Sequence, residues 1–157
     1  MKDFAEYIIY EEKHLIICHK PSGVPVQSAG VGVLDLECAC LNYLQQKNKK
    51  NNRQPYVGIV QRLDQPVEGL VVLAKTKQAA GELGRQVQDG RMEKTYLAVV
   101  DGEIEDSQGE LCDWMLKDSK MRMAKVVPPG TKGSKEAKLC YRVLQRREGK
   151  SLLEIRL

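Results

Sequence analysis

Residues 61–76 read Gln61-Arg62-Leu63-Asp64-Gln65-Pro66-Val67-Glu68-Gly69-Leu70-Val71-Val72-Leu73-Ala74-Lys75-Thr76, and no other stretch constrains the fold as tightly. The unbroken apolar run from Leu70 to Ala74 is too short for a buried helix and is bounded by punctuation, so it reads as a buried strand. Pro66 pushes Gln65 out of helical conformations, and Gly69 permits a sharp turn or a close backbone approach. Side chains alternate faces in extended chain, which points Arg62 and Asp64 one way and Leu63 the other. A guanidinium and a carboxylate are thus displayed together at the mouth of a strand. The residues alone leave two meanings open: a structural Arg–Asp pair that pins a loop, or a pair of functional groups.

Around this stretch the chain organises into short elements. Tyr7 to Tyr10 and His14 to Lys20 are β-branched and aromatic runs separated by Glu11-Glu12-Lys13, which predicts a hairpin stopped by Pro21-Ser22-Gly23. Lys20 then reads as a turn residue near the strand mouth, with no catalytic role assigned. Asp35 is placed to cap a helix carrying Leu36, Cys40, Leu41 and Leu44 at helical spacing. Residues 47–55 lack periodicity and read as a polar loop. Thr76 caps a second helix with Ala79, Leu83 and Val87 along one side, and Asp89-Gly90 ends it. A strand from Met92 to Val100 follows, with Lys94, Tyr96 and Ala98 sharing a face. After Gly102 two hairpins are expected, 110–116 with 121–127 and 136–145 with 151–157, broken apart by Pro128-Pro129-Gly130. Strands outnumber helices and most connections are antiparallel, so the fold class is α+β.

At 157 residues the chain is read as a single domain, 1–157, large enough to bury a core, and its 42% hydrophobic content argues against global disorder. The start carries no apolar signal core and no run is long enough to span a bilayer, so a cytoplasmic location and no membrane partner are expected. Cys18, Cys38, Cys40, Cys112 and Cys140 lack zinc-ligand spacing and read as free thiols, and no metal is expected. Charge is segregated. Residues 1–116 hold 13 Lys and Arg against 17 Asp and Glu, whereas 117–157 hold 12 against 4. That suits a polyanion bound along one side, with Lys120, Arg122 and Lys125 as candidate contacts; an ordinary solvated face is the competing reading.

The Arg62-Leu63-Asp64 stretch, running on through Gly69-Leu70 to Ala74-Lys75-Thr76, resembles the active-site motif of the RNA pseudouridine synthases. Three further places match in order: the Lys20-Pro21-Ser22-Gly23 turn, the Lys94-Thr95-Tyr96-Leu97-Ala98 strand ending at Gly102, and the Leu152-Leu153-Glu154-Ile155-Arg156-Leu157 strand. The resemblance is weakest between 103 and 150. It implies a mostly antiparallel mixed sheet flanked by a few helices and loops. Its catalytic aspartate falls on Asp64, and its active-site tyrosine, whose ring stacks on the target base, on Tyr96. RNA, ribosomal or transfer, is the implied partner, which makes it the better explanation of the basic C-terminal third. Gln61 stands where the family often has His, and Val67 and Glu68 where Thr-Ser is common. Glu68 adds a negative charge near Asp64.

The implied reaction breaks the C1′–N1 glycosidic bond of a uridine, turns the uracil and rejoins it through C5. It needs a carboxylate, a hold on the loose base and a dry pocket, but no cofactor. A carboxylate is already the ionised form at neutral pH, as a nucleophile must be. Attack at C1′ is preferred over attack on the pyrimidine, by analogy with carboxylates at other glycosidic carbons. Arg62 is placed to hold a flipped-out nucleotide or its phosphate, or else to pair structurally with a carboxylate. Two other functions stay open: a non-catalytic RNA-binding module, and an N-glycoside hydrolase using Asp64 and Glu68. The family pattern continues beyond a strand like 152–157 and has, in many members, a small RNA-binding domain ahead of the core. The expectation is therefore a catalytic domain without that N-terminal domain, incomplete at its C-terminus, inactive or impaired alone, and prone to associate through open strand edges.

Overall fold

The computed structural model describes residues 3–28, 30, 32–48, 54–118, 121 and 123–157. The chain divides into two compact units, residues 1–92 and 93–157, each described by itself. Most of the expected polar loop, 49–53, lies outside the described residues.

In the first unit a short 3-10 turn, Phe4–Tyr7, leads into β1 (Ile8–Glu11) and β2 (Leu15–Lys20), the expected hairpin, with an irregularity between Ile8 and Tyr10. Helix α1 (Leu36–Lys47) is capped as its sequence predicts: one carboxylate oxygen of buried Asp35 accepts from the Cys38 amide at 2.7 Å, and the other accepts from the Ser28 amide at 2.7 Å. β3 (Gly58–Ile59), β4 (Gly69–Ala74) and α2 (Lys77–Gln88) complete the unit, with Thr76 capping α2 through the Ala79 amide. The strands form a wholly antiparallel sheet in the order β1-β2-β4-β3. Strand parity sends Ile16, Cys18 and Lys20 of β2 to the buried side, where Val71 and Leu73 of β4 meet Leu36, Cys40 and Leu44 of α1. Burial pushes the Cys18 and Cys40 thiols up to about 12, as expected of inert core residues. All five cysteines are free. Among the described residues no helix is long and apolar enough to cross a membrane.

The regular elements among the described residues of the second unit are all strands: β5 (Thr95–Asp101), β6 (Gln108–Asp118), β7 (Met123–Val127), β8 (Lys135–Arg147) and β9 (Lys150–Arg156), antiparallel throughout in the order β5-β9-β8-β6-β7. β5 starts later than expected because the Arg91 and Met92 amides both donate to the Gln86 carbonyl, wrapping the chain onto the end of α2. Gly90, at φ +68°, makes that reversal possible. Both expected hairpins form, but they are not separate. β8 pairs with β6 from Gln108↔Arg142 to Met115↔Lys135, so β6 lies between β7 and β8. The Pro128-Pro129-Gly130 segment carries the chain from one side of β6 to the other instead of parting two hairpins. The α+β class holds, as two antiparallel sheets with both helices in the first unit.

Candidate active site

Between β3 and β4 residues 61–64 form no regular element, and the expected alternation is present in their burial. Arg62 and Asp64 are exposed, whereas Leu63 is half-buried and packs on the core. Immediately afterwards the Val67 amide donates to the Asp64 carbonyl at 3.0 Å, closing a turn over Gln65-Pro66. Gly69 then adopts φ +154°, and a Cβ there would sit 3.3 Å from Leu63 Cδ1. A side chain at 69 would thus strain the backbone and press on Leu63, the residue that anchors the loop to the core.

The loop is held from the other side by the end of β2. Lys20 is fully buried, and its ammonium donates to the carbonyls of Pro21 (3.1 Å), Val24 (2.7 Å) and Gln65 (3.1 Å). Those three bonds use all of its protons. Burial lowers the Lys20 pKa, while the negative charges of Asp64 and Glu68 push it back up. Three more bonds reinforce the same join. The Gly23 amide donates to the Gln65 carbonyl at 2.9 Å, Gln65 Nε2 donates to the Gly23 carbonyl at 2.9 Å, and Ser22 Oγ donates to the Pro66 carbonyl at 2.7 Å. Gln61 Nε2 reaches the Leu70 carbonyl at 3.3 Å, tying the start of the loop to β4. The residue after Asp64 is therefore fixed by side chain and backbone at once, which presets where the Asp64 carboxylate is presented.

Arg62 and Asp64 form no ion pair with each other or with other described residues of this unit, so the structural-pair reading has no bond to rest on here. Glu68 is turned toward His19, 3.6 Å from its Nε2. Tyr96 belongs to the second unit, half-buried on β5 with Ala98 and Val100 on the same face, directly opposite Ile155 of β9. Lys125 is exposed on β7 and sits 3.0 Å from the Asp118 carboxylate. Lys120 and Arg122 lie outside the described residues.

Sequence reasoning missed Lys20 as the residue that positions the loop. Its signal was strand parity: it falls in step with Ile16 and Cys18, and so points inward.

Comparison with known proteins identifies the family. The profile of a family described as RNA pseudouridylate synthase matches residues 14–157. The chain is 34% identical over 151 residues to the ribosomal large subunit pseudouridine synthase D of Nitrosomonas europaea, covering 96% of this chain and 42% of that protein. It is 32% identical over 158 residues to the protein of the same name from Zymomonas mobilis, covering 99% and 49%. The chain thus spans under half the length of these two curated relatives. The solved structure of human RNA pseudouridylate synthase domain containing 4 shares the fold, with a TM-score of 0.80 at 20% identity, over 99% of this chain and 60% of that one.

Proposed function

The chain belongs to the RNA pseudouridylate synthase family, and from that premise we propose that it converts specific uridines of structured RNA, ribosomal RNA first, to pseudouridine with Asp64 as the catalytic carboxylate. The observation that carries this reading is the family match across 14–157 together with an exposed Asp64 on a loop whose backbone is bound by Lys20, Gly23 and Ser22. In the proposed course an Asp64 oxygen bonds to C1′ as the C1′–N1 bond breaks, and the uracil departs with that electron pair. The base turns, C5 bonds to C1′ and the carboxylate is released. The C5 proton is lost and N1 gains one, so the net change is an isomerisation. Tyr96 stacks on the loose base, an interaction worth ~1–3 kcal/mol, and holds it between the two steps. Arg62 holds the extruded nucleotide by its phosphate.

Mapping pseudouridine in RNA from cells with and without the gene tests this directly. One or more ribosomal sites should disappear with the gene and return with it. Loss of a transfer-RNA site instead would move the substrate. No lost site would favour an RNA-binding module without turnover, and free uracil with an abasic site would favour the hydrolase.

A further inference from the structure

Register sorts the second sheet into two faces of different chemistry. On one face Tyr96, Ile155, Tyr141 and Gly109 stand directly opposite one another across β5, β9, β8 and β6. The opposite face carries cations that are already matched. Arg142 and Arg156 both lie 3.3 Å from Glu154, Lys138 lies 3.4 Å from Glu136, Lys125 lies 3.0 Å from Asp118, and Lys150 lies 3.9 Å from Asp101. On the Tyr96 face, by contrast, Lys117 and Lys135 are exposed and have no ion pair among the described residues. The carboxylate sharing that face is Asp113, opposite Ala137, and Arg146 there spends its guanidinium on the Ile104 and Glu105 carbonyls.

Tyr141 adds a second observation. A Cβ on Gly109 would fall 2.6–2.7 Å from its ring atoms and hydroxyl, so the ring lies across the glycine, close against the sheet. A ring laid down in this way has one face on the backbone and turns the other outward. Beside it Leu111 and Leu139 are directly opposed, and Leu111 is 53% exposed. Tyr141 stands two strands from Tyr96, about 10 Å at ordinary strand spacing, too far to share one base and suited to a separate one.

We propose that this face binds single-stranded RNA beside the target uridine, with Tyr141 stacking on a flanking base and Lys117 and Lys135 contacting phosphates. The proposal rests on the reading of Tyr96 as the residue that meets the target base. It moves the RNA contact away from Lys125, which register puts on the other face and which is already held by Asp118.

The test is binding of the purified full chain to a single-stranded RNA oligonucleotide, followed by fluorescence anisotropy over a range of salt. Replacing Lys117 and Lys135 together by Gln should flatten the plot of log affinity against log salt by about 1.4, at ~0.7 per phosphate on a single strand. Replacing Lys125 and Lys138 by Gln, on the opposite face, should leave the slope unchanged. Tyr141→Leu should weaken binding roughly 5- to 150-fold, the loss of one base stack, while Tyr141→Phe binds as wild type. Circular dichroism melting checks that each variant folds. If Tyr141→Leu does not fold, the two lysine pairs decide alone. A wild-type slope after the Lys117 and Lys135 change, or a slope carried by Lys125 and Lys138, overturns the proposal, as does wild-type affinity in folded Tyr141→Leu. Binding is read without turnover, so the outcomes separate cleanly. RNA held on this face by a protein that modifies no uridine would sink the isomerase reading alone.

Discussion

Of the thirteen buried apolar side chains among the described residues, twelve lie between Phe4 and Ala74 in the first unit, and Leu153 alone lies in the second. The first unit lays α1 on one side of a four-stranded sheet and closes a dry core there. The second is a five-stranded sheet with no helix among its described residues, and charged pairs line one of its faces. This difference suggests a division of labour. A catalytic carboxylate, the role proposed for Asp64, needs a backbone that does not move, and Asp64 belongs to the unit with a core beneath it and a buried lysine beside it. The proposed RNA face is on the open sheet, where the half-buried Tyr96 and Tyr141 stand with the exposed Lys117 and Lys135.

The contrast can be broken most readily in the cores. Leu73→Ala should cost about 2–5 kcal/mol, because Leu73 is fully buried and its cavity cannot collapse freely. Leu97→Ala on β5, where the side chain is 69% exposed, should change stability by less than about 0.5 kcal/mol. Denaturant titration of both variants checks this, and equal losses would end the comparison.

A next smaller effect separates the two kinds of ion pair. Burial by itself would raise the Glu11 carboxyl, but hydrogen bonds from Lys47, Lys75 and Tyr43 and the charge of Lys75 hold it down at about 2, against an ordinary 4.5. A carboxyl depressed on folding stabilises above its unfolded pKa, and that contribution is lost as pH falls toward the folded value. Wild type should therefore lose on the order of 3 kcal/mol between pH 4.5 and 2 from this group, and Glu11→Gln should lack that portion of the pH dependence. Arg142→Ala, at an exposed pair of the second unit, should cost under about 1 kcal/mol. Stability curves against pH for both variants would sharpen the distinction.

Lys20→Met tests the support of the loop. Three part-buried carbonyls lose a donor while an apolar chain of similar length fills the space, so about 1–3 kcal/mol of stability should go. Modification should fall by up to about a hundredfold with RNA affinity retained, because the carboxylate is displaced and not removed. An effect on affinity alone would show that Lys20 acts on RNA instead.

Elements controlled by near neighbours were legible in the sequence. Asp35 and Thr76 cap helices through amides three residues away, the β1–β2 and β8–β9 hairpins follow from alternation and short turns, and Leu63 packs inward as parity requires. What failed was long-range. Nothing local tells β8 to take the free edge of β6, so the two predicted hairpins were read as separate when β6–β8 pairing joins them in one sheet. The same limit applies to the basic residues: the charge excess of 117–157 was visible, but the cross-strand partners that neutralise one face, with Lys125 beside Asp118, depend on register. Lys20 was read as a turn residue because a lysine beside proline usually is one, although its parity with Ile16 and Cys18 pointed inward.

The most direct test of the account is Asp64→Asn, which keeps the shape of the side chain and removes its nucleophilic charge. Returned to cells lacking the gene, the variant should leave the target uridine unmodified, a loss of at least about a thousandfold in turnover, while the purified variant binds RNA as wild type does. Restoration of pseudouridine by Asp64→Asn would contradict the account, since the carboxylate that Lys20, Gly23 and Ser22 help to present would then not be the group that does the chemistry.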